Sequence, residues 1–141
     1  LDGRYDLLSL FSIILIYSLS KSDKKGVELS QILFDKIFLD LDLSLRELGA
    51  GDAGVHIKIK NMVSSYMGRQ KAYCNCFESY DFIKLEKHIA KNVYRNVSYH
   101  DDNPKLLAKY CKKCIDTFDK KNIKFFLSEN LNFPQLDYFF D

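Results

Sequence analysis

The stretch from Leu33 to Tyr73, LFDKIFLDLDLSLRELGAGDAGVHIKIKNMVSSYMGRQKAY, constrains the fold more than any other part of this chain. Two long helical patterns meet there at a glycine-rich joint, Gly49-Ala50-Gly51-Asp52-Ala53-Gly54. Ahead of the joint, residues 28–48 read as one helix. At 100° per residue, Leu33, Phe34, Ile37, Phe38, Leu41, Leu45 and Leu48 fall within an arc of about 140°, the width of a core-facing stripe. Beyond the joint, residues 53–79 read as another, with Val55, Ile59, Met62, Val63, Tyr66, Met67, Tyr73 and Phe77 as core positions. Gly49 suits a left-handed helix end, and Asp52 is expected to cap the next helix. Gly68 in mid-helix costs about 1 kcal/mol relative to Ala, which predicts either a close backbone approach or a kink.

The rest of the chain carries the same periodicity. Residues 6–20 predict a first helix with a face of Leu7, Leu8, Phe11, Ile14, Leu15 and Leu19, widened by Ile13, Ile16 and Tyr17. Its apolar run, LLSLFSIILIYSLS, falls short of the ~20 residues needed to span a bilayer, so it reads as a buried core helix. Gly26 is available to close it. A weaker helix is expected over 80–97. A fifth begins near Asp102, Asn103 and Pro104 and buries Leu106, Leu107, Tyr110, Cys111, Cys114, Ile115 and Phe118. A short helix near 123–127 and an irregular aromatic tail complete the chain. With only two Pro and six Gly in 141 residues, this pattern predicts an all-α fold, a single helical domain of five to six helices.

A second reading of helix 28–48 bears on function. Asp35, Asp42 and Arg46 share an arc of about 40°, with Arg46 placed four residues after Asp42 to pair with it. Leu39 and Leu43 lie beside this charged strip. Apolar surface on two sides means that the helix either lies deep in the fold or meets a partner. Lys58, Lys60 and Arg69 supply basic positions on the following helix. Together Asp35, Leu39, Asp42, Leu43, Arg46, Lys58, Lys60 and Arg69 are the candidate partner-binding residues; the competing reading is that Arg69 and the aspartates lock helices together.

Charge and motifs narrow the function classes. Residues 1–54 hold six Lys/Arg against nine Asp/Glu, while residues 55–141 hold 15 against 10. A formal net charge of +2 argues against a DNA-binding protein. No nucleophile motif, phosphate-binding loop or HExxH occurs, and His56, His88 and His100 are scattered, so no catalytic site is assigned. Cys74-Asn75-Cys76 and Cys111-Lys112-Lys113-Cys114 have a formal resemblance to zinc ligand pairs. Mid-helix CxC side chains point about 200° apart, however, and four small buried residues with free thiols are expected instead, with no metal or cofactor.

Taken in order, these residues resemble the ubiquinol–cytochrome c chaperone family. The hallmark lies in Leu33-Phe34-Asp35, Asp40-Leu41-Asp42 and Leu45-Arg46-Glu47-Leu48-Gly49-Ala50-Gly51-Asp52. It continues through Val55, Lys58, Lys60, Met62, Tyr66, Gly68-Arg69 and Tyr73. Upstream, Asp2-Gly3-Arg4-Tyr5-Asp6-Leu7-Leu8 resembles the family's DGRF segment. Downstream, Lys91-Asn92-Val93-Tyr94 and Leu107-Ala108-Lys109-Tyr110 resemble its RNxY and LAxY elements. Departures are Phe11 where the family often has His, and Lys91 where it often has Arg.

The resemblance implies a non-enzymatic assembly factor for the cytochrome bc1 complex, the third respiratory complex, that receives newly synthesised cytochrome b. Mitochondrial members pair with a small helical companion and contact the ribosome near its tunnel exit. It also implies that residues 1–141 form one such domain, incomplete at the N terminus, a reading that fits a chain beginning with Leu. The abundance of Lys, Asn, Ile, Phe and Tyr favours a bacterial source, placing the protein in the cytoplasm or at the cytoplasmic face of the inner membrane. The alternative compartment is the mitochondrial matrix or inner membrane. The alternative function is a helical module that binds a membrane surface or lipid.

Overall fold

The fold is built around its first helix. In this computed structural model, residues 2–95 and 102–135 are described. They form α1 (Asp2–Ser20), α2 (Lys24–Glu47), α3 (Asp52–Glu78), α4 (Phe82–Asn92), α5 (Asn103–Phe118) and the single turn α6 (Ile123–Phe126), with no strand among them. The all-α expectation therefore holds. α1 packs against α2, α3 and α5, while α4 bridges α3 and α5. Leu10, Ile13 and Ile14 are completely buried, and Ile16 and Leu19 nearly so. Burying each such side chain contributes about 1.5–3 kcal/mol.

The buried face of α1 keeps most of the positions that the spacing suggested, with Ile13, Ile14, Ile16 and Leu19 buried and Phe11, Leu15 and Tyr17 half-buried, but it departs at the helix start and at the serines. Leu7 and Leu8 are exposed, while Asp6, Ser9, Ser12 and Ser18 turn inward. The inward serines are served locally: Ser9 donates to the Tyr5 carbonyl (2.8 Å), and Ser12 shares a 2.9 Å hydrogen bond with the buried Tyr66 hydroxyl. Ser9 and Ser12 are tolerated inside because each finds a partner.

α2 and α3 run antiparallel, as their cross-contacts show: Phe34 and Phe38 both meet the Tyr66 ring edge-on, at 5.4 Å between centroids, and Arg46 meets Asp52 at the joint. Gly49 adopts φ +91°, the left-handed end expected of it. Asp52 does not cap α3. Gly51 is the N-cap, and the Asp52 side chain is engaged by Arg46 instead. Gly26 does not close α1 but lies in the first turn of α2, where its N–H donates to the capping Asp23 (2.8 Å). A β-carbon there would stand 2.2 Å from the Leu19 carbonyl oxygen, so close approach of two helices requires glycine. Gly68 has nothing within 4 Å of its β-position, which removes close packing within the domain as its explanation.

The downstream helices fall near their predicted places. α4 is shorter than expected, starting after the Asp81 cap and ending at Asn92; residues 96–97 of the predicted helix lie outside the described set. α5 buries Tyr110, Cys111, Cys114, Ile115 and Phe118, with Leu106 and Leu107 half-buried. The described part of the tail packs down: Phe133 meets Phe11 and Phe118 edge-on, and Tyr110 donates to the Pro134 carbonyl (2.6 Å). Residues 136–141 lie outside the described set.

Candidate functional site

The outer face of α2 carries an exposed apolar stripe. Ile32, Leu39 and Leu43 are 62%, 55% and 51% exposed. At 100° per residue they fall within about 40° of one another, a narrow stripe with coiled-coil-like spacing. Opposite them, Phe38 and Leu45 are buried and Leu33, Phe34, Ile37 and Leu41 are half-buried. The helix thus keeps two apolar sides, and the reading that it lies deep in the fold is excluded for the side bearing Leu39 and Leu43. Isolated exposed leucines need no explanation, but a stripe aligned over three turns does.

Charge borders the stripe. Asp35, which takes a hydrogen bond from Gln31 (2.9 Å), and Asp42 line one edge; a Lys36–Asp40 pair (2.8 Å) lines the other. Arg46 closes the end of the strip, clasped by Asp42 (2.6 Å) and by Asp52 across the joint. This is the expected i,i+4 pair, extended to α3. Being exposed and screened by solvent, it serves orientation more than stability.

The basic residues of α3 do not join this strip as a group. Lys60 is exposed on the outer face of α3. Lys58 and Arg69 line a separate cleft of about 280 Å³ with Tyr5, Asp6, Asn61, Met62, Ser65 and Arg95. At its floor, Asp6 is fully buried and accepts from Arg69 (2.6 Å) and Arg95 (2.8 Å), so one carboxylate ties α1, α3 and the segment after α4 together. Arg69 is mostly covered, with the Tyr5 ring 5.7 Å away, whereas Arg95 is half exposed. Arg95 holds a left-handed backbone (φ 53°), a conformation that costs a non-glycine residue about 1 kcal/mol or more and aims the guanidinium inward. Tyr73 is buried on α3, and burial pushes its hydroxyl pKa up against the opposing effect of Asn92 beside it.

An apolar slot of about 110 Å³ adjoins this cleft. It is lined by Leu8, Leu41, Leu45, Leu48 and Met62 with Arg4, Tyr5 and Ser44, and so shares Tyr5 and Met62 with the cleft. Asp6, Arg95 and Tyr5 were absent from the candidate residues. The signal for Asp6 was present: it stands four and seven residues before Leu10 and Ile13, on the buried face of the same helix.

Reactive chemistry is suppressed elsewhere. Cys76, Cys111 and Cys114 are buried and Cys74 half-buried, all as free thiols. Burial pushes Cys74 up to about 11 and Cys114 up to about 12, so the nucleophilic thiolate is scarce at neutral pH. No group of three His, Cys, Asp or Glu among the described residues is placed to hold a metal ion. His56 is exposed, and His88, its pKa lowered by burial, lies edge-on to Tyr73; His100 lies outside the described residues. Among the described residues no helix is long and apolar enough to cross a membrane.

Comparison with known proteins adds a family and a structural relative. The family model described as ubiquinol-cytochrome C chaperone matches residues 1–133. The crystal structure of the Cbp3 homolog from Brucella abortus superposes with a TM-score of 0.82 at 26% sequence identity, covering 96% of this chain and 75% of that one. No curated protein gives a significant match.

Proposed function

The chain belongs to the ubiquinol-cytochrome C chaperone family, and from that premise we propose that it holds newly synthesised cytochrome b during assembly of the cytochrome bc1 complex, using the outer face of α2. The observation that carries this reading is the exposed Ile32–Leu39–Leu43 stripe on a helix whose opposite side is already in the core. A chaperone needs apolar surface that the folded domain leaves open, bordered by charge that keeps it soluble and sets orientation. Asp35, Leu39, Asp42, Leu43 and Arg46 meet that description together. Lys60, exposed on α3, is a further candidate for this contact, whereas Lys58 and Arg69 face the separate cleft and stand outside it. A small helical companion protein is a second user of the same stripe, since the spacing suits helix-on-helix packing. The structural relative from Brucella abortus supports a bacterial setting, with the protein working at the cytoplasmic face of the inner membrane as its client inserts.

The role requires no reaction centre, and the protonated, buried thiols and scattered histidines agree with an assembly factor rather than an enzyme. The test is genetic and spectroscopic. Deleting the gene should lower the b-type haem absorbance and the bc1 complex together. A Leu39→Asp/Leu43→Asp chain should fold normally by circular dichroism and fail to restore either. Full restoration by that variant would remove α2 from the contact surface.

A further inference from the structure

We propose that the cleft over Asp6 and the slot beside it form one two-part receptor for a protein segment that carries an aliphatic side chain next to a carboxylate. This goes beyond the α2 surface and does not depend on which protein is the client.

The first part is electrostatic. Among the described residues, Lys58, Arg69 and Arg95 bring three cations to a cleft lined by one carboxylate, Asp6. Asp6 engages one terminal nitrogen of each guanidinium. Each guanidinium has five N–H donors; those of the half-exposed Arg95 that Asp6 does not take stay open to a second anion, while the mostly covered Arg69 adds its charge from beneath. Lys58 has no ion-pair partner among the described residues. The guanidiniums are already fixed by Asp6, and Arg69 additionally by the Tyr5 ring, so little ordering entropy is lost when an anion binds. Asp6 therefore does two things: it offsets one buried positive charge and holds the fork that presents the rest.

The second part is steric and selects the source of the anion. The slot is walled by leucines and Met62, and Leu48 at its rim is 73% exposed. At about 110 Å³ it is smaller than the roughly 150 Å³ cavity known to take benzene, so it suits one branched aliphatic side chain and not a lipid acyl chain. Tyr5 and Met62 line both spaces and are joined by the 2.7 Å hydrogen bond that the Tyr5 hydroxyl donates to the Met62 carbonyl, so they form a ridge between the two, which a single ligand would cross to reach the slot and the cations at once. Among ligands with one anionic group, this favours an acidic, apolar protein segment over a phospholipid.

The experiment uses the full chain and a set of labelled 12-residue peptides, each with one Leu and one Glu separated by zero to four residues in a Ser/Gly background. Fluorescence anisotropy should find at least one spacing that binds. Binding should fall at least about tenfold on Glu→Gln or Leu→Ala in the peptide, and by a similar factor with the Lys58→Glu chain, which alters an exposed residue. Rising salt should weaken it. Phosphatidylglycerol vesicles and inorganic phosphate should not displace the peptide. The proposal is overturned if no spacing binds, if the Glu→Gln peptide binds equally well, or if the anionic vesicles compete. Circular dichroism of the Lys58→Glu chain, with Arg95→Glu as a second variant, separates lost recognition from lost folding.

Discussion

Asp6 occupies a core position in an otherwise apolar helix and is completely buried, so its charge must be met inside the protein. The two arginines that meet it differ in exposure, and their removal should differ in cost. Asp6→Ala strands Arg69 against the core and should lower stability by about 3–5 kcal/mol, the usual penalty for breaking a buried pair. Arg69→Ala should cost a comparable amount because it leaves the carboxylate buried beside only one partner. Arg95→Ala should cost about 1 kcal/mol or less, since its guanidinium is half in water. Urea unfolding of the three variants checks the order, and equal costs would contradict it. The thiols give a second test at this scale. Cys74 and Cys114 have pKa values raised by burial above those of the unfolded chain. Their contribution to stability is therefore complete below about pH 8.5, where both states are protonated, and is lost as pH rises toward the folded values. The urea midpoint should be flat from pH 7 to 8 and fall above about pH 9, and Cys114→Ala should blunt that fall.

At the scale of the element, α2 and α3 show what periodicity conveys and what it leaves out. The core stripe of α2 was legible because one face of a helix in a small domain must be apolar. Leu39 and Leu43 were legible as surplus, but not as exposed, because spacing locates a face without saying what lies against it. The candidate site divided for the same reason. Lys58 and Lys60 are only two residues apart in sequence yet point about 160° apart on α3, one to the cleft and one to solvent. Arg95 was beyond reach, since its role comes from a loop folded back onto α1. The two helical glycines make the distinction testable. Gly26→Ala forces a β-carbon against the Leu19 carbonyl, and should destabilise by about 1–3 kcal/mol, the range for an overpacked contact. Gly68→Ala meets nothing within 4 Å, and should stabilise by up to about 1 kcal/mol through helix propensity. Thermal melts of the two variants should shift in opposite directions.

For the whole molecule, the central position of α1 sets the order in which parts open. α1 touches α2, α3 and α5, so none of these three can leave without uncovering part of it. Its inward side chains meet partners from distant parts of the chain: Tyr66 and Arg69 on α3, Arg95 beyond α4 and Tyr110 on α5. α6 is a single turn held through Phe126 and Phe125 against Phe118, and the tail rests on Phe133 and the Pro134 carbonyl. Local opening is easiest where few buried contacts must break. Native-state amide exchange should therefore be slowest in the α1 segment from Leu10 to Leu19 and in α3 from Tyr66 to Phe77. It should be fastest in α6 and at the Gly49–Gly51 joint. Asp6→Ala should speed exchange in α1 and in α3 by the same factor, because both lose the same tie, while leaving α6 unchanged. If exchange in α1 accelerates alone, the ion cluster is a local feature of one helix and not the fastening that holds the bundle to its first element.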